Sequence, residues 1–276
     1  MDDLLHITIS LDPVLLEVGG IAILRWYSLF ITIAIFSAVW LIDREFKRKG
    51  MDTSNYGGIA TWTIIMGIIG ARLFHVIDDW SYYSDNPIDA IQIQRGGLAI
   101  WGAVALGFVG LAIGCRQYGV SLLKSMDAVA PGLVLAQAIG RGGNVVNGDA
   151  WGAPTDSFFA FIYTNPDAFI PDRLLNTPTH PYPVYDFILN MAVFGLLMWL
   201  RKRPIPDGAL FATYLLVYGI GRFFVHGAFR QEDTWALGMQ QAQVLSIAGA
   251  ILGAAWLALL WYQARSGTGP DPAPTG

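Results

Sequence analysis

From Val244 to Tyr262 the chain carries no charged residue. A helix needs about 20 mostly apolar residues to cross the hydrocarbon layer, so this run alone commits the chain to a membrane. Six more runs resemble it. The spans are predicted at roughly 19–41, 58–77, 96–114, 120–140, 184–200, 208–228 and 241–263. The fourth holds Lys124, Asp127 and Pro131, and the fifth is short. Composition agrees: 54% of residues are hydrophobic and only 14% charged. A globular domain usually has about 25% charged residues, and a lipid-facing surface excludes them because each is costly there. The expected fold is all-α, a polytopic membrane protein with about seven transmembrane helices in one domain over 1–265. The Gly/Pro/Thr-rich tail 266–276 is expected to be disordered and cytoplasmic.

Lys and Arg concentrate in alternate loops. Arg44, Lys47, Arg48 and Lys49 follow the first span; Arg116 and Lys124 flank the third loop; Arg201, Lys202 and Arg203 follow the fifth span; Arg265 lies in the tail. Such loops stay cytoplasmic. The second loop instead carries Asp78, Asp79, Asp85 and Asp89 against Arg95, and no Lys or Arg precedes Gly19. The N-terminus is therefore expected outside and the C-terminus in the cytoplasm. The loop at about 141–183, rich in Gly, Pro, Asn and aromatics, is expected to form a small external head region. With no basic region before the first apolar run, no cleavable signal peptide is expected.

The single cysteine, Cys115, excludes an internal disulfide and is expected to be an apolar core residue. The four histidines lack metal-ligand spacing, so no metal or other cofactor is expected. The basic loops are short and juxtamembrane, which argues against nucleic acid.

Three arginines fall inside predicted spans: Arg25, Arg72 and Arg222. The orientation places each at a depth of roughly 7–9 Å from the outer end of its helix, at 1.5 Å per residue. Arg141 sits at the outer end of the fourth span. An intramembrane charge needs a reason. Long side chains can reach up to water, but a cluster of guanidinium groups at headgroup depth suits an anionic ligand, and a phospholipid phosphate fits. Arg binds phosphate through a planar fork and stays charged. Tyr214, Tyr218, Arg222 and His226 recur every four residues, so they form one stripe of a helix, facing protein or a cavity.

The segment Gly140-Arg141-Gly142-Gly143-Asn144-Val145-Val146-Asn147-Gly148-Asp149 follows. Glycines allow a close backbone approach; the two asparagines and Asp149 supply hydrogen-bonding groups beside the arginine. The bland alternative is a helix C-cap and a loop. The segment matches neither a phosphate-binding loop nor a dinucleotide fingerprint.

With its continuation Ala150-Trp151-Gly152-Ala153-Pro154-Thr155, it resembles the diagnostic motif of the prolipoprotein diacylglyceryl transferase family. Further blocks agree in order: Arg25-Trp26-Tyr27; Gly70-Ala71-Arg72; Gly96-Gly97-Leu98-Ala99-Ile100-Trp101-Gly102; His180-Pro181 with Tyr185-Asp186; Tyr218-Gly219 with Arg222 and Arg230; and Gln243 to Ile247. The resemblance implies transfer of the diacylglyceryl group from phosphatidylglycerol to the lipobox cysteine thiol of a prolipoprotein signal peptide, in the bacterial plasma membrane. It makes Arg141, Arg222, Asn144, Asp149 and Tyr27 the catalytic candidates. Arg25, Arg72, Gly97, Trp101, Gly143, Asn147 and Tyr218 are the candidates for substrate binding. Three positions depart from the pattern: Trp101 replaces a His, Asp149 a Glu, and His226 a Glu. His226 is a candidate proton acceptor in place of that His. A lipid-binding protein or transporter, or an inactive paralogue, would share the arginines without the chemistry.

Overall fold

The computed structural model describes residues 5–19, 21–93, 97–232 and 234–266. Gln94, Arg95, Gly96 and the tail 267–276 lie outside the described residues. Among the described residues seven helices are long and apolar enough to cross a membrane. They are α1 (Trp26–Arg48), α2 (Tyr56–Asp78), α4 (Ile100–Gln117), α5 (Leu122–Asn147), α6 (Tyr182–Leu200), α7 (Ala209–Phe229) and α8 (Gln241–Ser266). A short helix, α3 (Trp80–Asp85), follows α2. Large apolar side chains such as Phe36, Ile64, Phe224 and Ile251 are exposed, as a lipid-facing surface requires.

Two boundaries differ from the sequence reading. The first span does not begin at 19. Strands β2 (Val14–Val18) and β3 (Ile21–Arg25) form an antiparallel hairpin, with Gly19 at φ 61°, and α1 starts only at Trp26. The hairpin's β-branched and leucine residues are as apolar as a span, so hydropathy merged the two. Arg25 accordingly ends a strand, and its guanidinium lies 5.2 Å from the centre of the Phe169 ring. The fourth span does not end at 140. α5 continues through the glycine segment to Asn147, so Arg141 stands within the helix.

The chain divides into two compact units, residues 1–42 with 129–276, and residues 43–128. In the first, α5 lies against α1 through small residues. A Cβ on Gly143 would sit 3.0 Å from Tyr27 Cδ2, and one on Gly142 would collide with the Phe30 ring. α7 and α8 meet the same way at Gly219 and Gly253, which face the α8 and α7 backbones respectively. In the second unit α2 and α4 cross at Gly70 and Gly102, each opposite the other's carbonyl. Such close approach is how helices associate where lipid removes the hydrophobic driving force.

The head expected at 141–183 begins instead at Gly148, where φ of 76° ends α5. It contains β4 (Phe159–Tyr163) and β5 (Pro178–Thr179). The N-terminal strand β1 (Leu5–Ile9) joins them, running parallel to β4 from Leu5↔Phe159 to Ile9↔Tyr163. Ile9, Phe161, Tyr163, Ala168, Ile170 and Leu174 form its core. The Tyr163 hydroxyl donates to Val145 O at 3.0 Å and ties the head to α5. A last hairpin, β6 (Thr234–Ala236) and β7 (Met239–Gln240), precedes α8.

Candidate functional site

Three helices of the first unit carry polar residues one turn apart. α5 has Gln137 and Arg141, α6 has Asp186 and Asn190, and α7 has Tyr214, Tyr218, Arg222 and His226. The four-residue spacing puts each set on one helix face. The Tyr214 and Tyr218 rings stack at 5.4 Å, and Gln137 donates to the Tyr214 hydroxyl at 3.0 Å. The α7 stripe read from spacing is therefore a packed, inward face.

The faces converge on Asp186. Its Oδ2 accepts a hydrogen bond from Arg222 Nη1 at 2.8 Å and lies 2.5 Å from Arg141 Nε. The carboxylate is fully buried, while the two arginine side chains keep 19% and 18% of their surface open. One buried carboxylate thus holds two guanidinium groups together, and each keeps part of its surface open. In direct contact, two cations share one anion, and the surplus positive charge suits an anionic ligand.

Arg141 leads outward from this centre. Its Nη1 donates to Asn144 Oδ1 at 2.8 Å, and Asn144 Nδ2 donates to Asp149 Oδ1 at 2.8 Å. The continuous chain Arg222–Asp186–Arg141–Asn144–Asp149 fixes the orientation of every amide and guanidinium in it. The Tyr27 ring packs on Gly143, and its hydroxyl is within electrostatic reach of Asp149 and Arg141. Tyr218 has the same relation to Arg222 and Arg141. Asn147 serves the head instead: its carbonyl accepts from Phe169 N at 2.9 Å.

The turn after α5 is held from α7. Ala153 N donates to Phe229 O at 2.9 Å, and His180 N to Ala153 O at 2.9 Å. Arg230 places Nη1 and Nη2 each 3.4 Å from the carbonyls of Trp151 and Asp149. Burial keeps the His180 imidazole below its ordinary pKa, hence neutral near pH 7.

In the second unit Arg72 is 8% exposed. Its Nε donates to Ala90 O and its Nη1 to Gly97 O, both at 2.8 Å, and Nη2 donates to Asp89 O. Its guanidinium carbon is 5.2 Å from the centre of the Tyr83 ring. Gly97 has φ of 76°, and a Cβ there would meet the His75 ring and Arg72. Trp101 stands in the first turn of α4, 38% exposed.

A family model described as prolipoprotein diacylglyceryl transferase matches residues 13–259. The chain belongs to the prolipoprotein diacylglyceryl transferase family. Several members similar to it are named phosphatidylglycerol–prolipoprotein diacylglyceryl transferase. One from Thermosynechococcus vestitus is 37% identical over 91% of this chain and 93% of its own length. One from Lysinibacillus sphaericus is 35% identical over 89% and 90%, and one from Nostoc sp. is 36% identical over 96% and 94%.

For a transferase of this family, the structure brings Tyr27, Arg141, Gly143, Asn144, Asp149, Tyr218 and Arg222 into one cluster, with His226 one turn beyond Arg222 on α7. Arg25 lies apart from their hydrogen-bonded chain, on the head residue Phe169. The sequence reading quoted Asp186 within a family block but gave this hub no role. It also missed Tyr182, Arg230 and Glu232 as contributors to the rim. Asp186 carried a signal: an acidic residue near the start of an apolar helix needs a partner as much as an intramembrane arginine does.

Proposed function

We propose that this chain transfers the diacylglyceryl group of phosphatidylglycerol to a prolipoprotein, at the site where Arg141 and Arg222 meet. The acceptor is the lipobox cysteine thiol of the signal peptide, and the location is the bacterial plasma membrane. The observation that carries this is the shared contact of both guanidinium groups with buried Asp186. Held this way, the arginines are preorganised for a phosphate without reorganising during the reaction.

In the reaction the cysteine thiolate attacks the phosphate-bearing carbon of the diacylated glycerol. A C–S bond forms and the C–O bond breaks. Its electron pair leaves with the phosphate oxygen, so glycerol phosphate departs. The thiolate is the nucleophile, since the thiol is too weak a one, and the proton the thiol gives up passes to solvent or to the departing glycerol phosphate, whose monoester can bind it. Arg141 and Arg222 neutralise the charge that grows on the leaving phosphate. Asn144 and Asp149 keep Arg141 in place, Tyr27 borders the same space, and Arg72 holds the backbone carbonyls of Asp89, Ala90 and Gly97. The protein supplies no nucleophile: Cys115 is buried in the second unit.

The test is to incubate the purified protein with phosphatidylglycerol vesicles and a lipobox peptide. A thioether-linked diacylglyceryl peptide and an equal amount of glycerol phosphate are expected. Arg141→Lys or Arg222→Lys keeps the charge but loses the fork, and is expected to lower kcat by about 10²–10³-fold, as for loss of a transition-state donor. Lipid binding with no glycerol phosphate released would overturn the reading.

A further inference from the structure

His226 is only 2% exposed at its side chain and uses both ring nitrogens. Nδ1 is 3.0 Å from the Tyr182 hydroxyl, and Nε2 is 3.2 Å from Glu232 Oε2. An ionised carboxylate can only accept, so Nε2 carries a hydrogen and donates to Glu232. In the neutral ring Nδ1 is then the acceptor, and the Tyr182 hydroxyl donates to it. Glu232 thereby sets the tautomer. Neither nitrogen keeps a lone pair for a substrate thiol.

Each partner of His226 in turn holds part of the site. Tyr182 opens α6, and its ring centre lies 5.8 Å from the Arg222 guanidinium carbon and 5.3 Å from that of Arg230. Glu232 accepts from Arg230 Nε. Arg230 covers the Trp151 ring at 5.1 Å and reaches the Asp149 and Trp151 carbonyls. Beside this stretch of α7 also stand Gln243 of α8, next to Gly227, and the His180 and Tyr185 rings, 5.1 and 4.5 Å from that of Phe229. The hydrogen bond from His226 and the pairing with Arg230 hold the Glu232 carboxyl down at about 2. Because that value lies below the ordinary one, the clasp is complete above the ordinary carboxyl range and is lost as pH falls toward 2.

We infer that His226 is a positioning residue: it fastens Tyr182 and Glu232 so that Arg230 pins the turn carrying Asp149 against the C-terminal end of α7. It exchanges no proton with the substrate. The inference rests on the proposed transfer site, and it gives this chain's histidine a role other than that of a replacement base.

Two variants decide it. In His226→Gln the amide can still donate to Glu232 and accept from Tyr182, but it does not titrate. In His226→Leu both bonds are lost. His226→Leu is expected to lower kcat by roughly 10²-fold, the scale of a small misplacement, with a smaller change in KM for phosphatidylglycerol. His226→Gln is expected to restore turnover to within about fivefold of the parent, since its two hydrogen bonds survive, with an unchanged pH profile of kcat/KM. If His226→Gln is as inactive as His226→Leu, or if it removes one limb of that profile, the histidine is a base and the inference fails. A second readout needs no turnover: hydrogen exchange at the Ala153 amide, bonded to Phe229 O, should quicken in His226→Leu and not in His226→Gln. Equal exchange in all three proteins overturns the inference. Should His226→Leu not fold, Glu232→Gln, which weakens the hold on Arg230, should quicken the same amide, and unchanged exchange there counts equally against it. A parent protein that releases no glycerol phosphate would sink the transfer reading, while the exchange comparison would still judge the clasp.

Discussion

Replacing Asp186 by Asn would leave Arg141 and Arg222 facing one another across a buried amide that balances neither charge. Removing one partner of a buried ion pair costs about 3–5 kcal/mol, mostly from the charge left behind. The guanidinium groups would then separate, and the geometry that receives a phosphate would go with them. Asp186→Asn is expected to lower kcat/KM for transfer by about 100-fold, in line with lost transition-state positioning, and to lower the melting temperature in lipid. Asp186→Glu keeps the charge with one more methylene and should recover part of both. Full activity and unchanged melting in Asp186→Asn, measured by glycerol phosphate release and by unfolding, would remove Asp186 from its role as hub. The carboxylate was read only as part of a family block and given no role, because its partners come from α5 and α7, dozens of residues away. The arginines were legible because each is anomalous by itself in an apolar run.

At the scale of elements, periodicity revealed what local pattern determines and missed what distant pairing determines. The α7 stripe was legible since four polar residues repeat at the helical period within one element. Strand β1 was not: its partner β4 lies some 150 residues later in the chain, and nothing local marks a parallel pairing. The β2–β3 hairpin was misread because a lipid span and an apolar hairpin share composition, and little but the turn at Gly19 tells them apart. The glycines of the 140–148 segment were read for ligand approach, whereas Gly142 and Gly143 serve contact with α1, as other glycines do elsewhere. Gly102 and Gly107 of α4 make this testable. A Cβ on Gly102 would collide with the Gly70 carbonyl, which belongs to a helix backbone and cannot swing away. A Cβ on Gly107 would rest 3.7 Å from Thr63 O, an ordinary contact. Gly102→Ala is therefore expected to destabilise the protein by about 1–3 kcal/mol through overpacking. Gly107→Ala should be neutral or stabilising by up to about 1 kcal/mol, from helix propensity. Thermal unfolding of the two variants in one lipid mixture gives the comparison, and equal shifts would contradict the crossing.

For the whole molecule, the sidedness of the site follows from counting crossings. Strand β1 precedes the first span and β4 follows the fourth, so an even number of crossings separates two strands that pair. The head and the N-terminal strand thus share a side, as their hydrogen bonding demands. The basic residues after α1, α4, α6 and α8 all follow an odd number of crossings and lie on the other side. Lys and Arg are retained in the cytoplasm, and on that rule we propose that the head and the adjoining ends of α5 and α7 face away from it. In the proposed orientation Arg141 and Arg222 would stand at the outer leaflet, where the proposed signal-peptide substrate emerges. The protein's only cysteine is 1% exposed, which gives a quiet background for labelling. Asp167→Cys in the head and Lys202→Cys after α6 sit at exposed positions separated by one crossing. In intact cells a membrane-impermeant maleimide should modify Asp167→Cys and spare Lys202→Cys. Permeabilised cells should label both. Labelling of Lys202→Cys alone from outside would invert the orientation, put the arginine pair at the cytoplasmic face, and remove the site from the leaflet that the transfer reading requires.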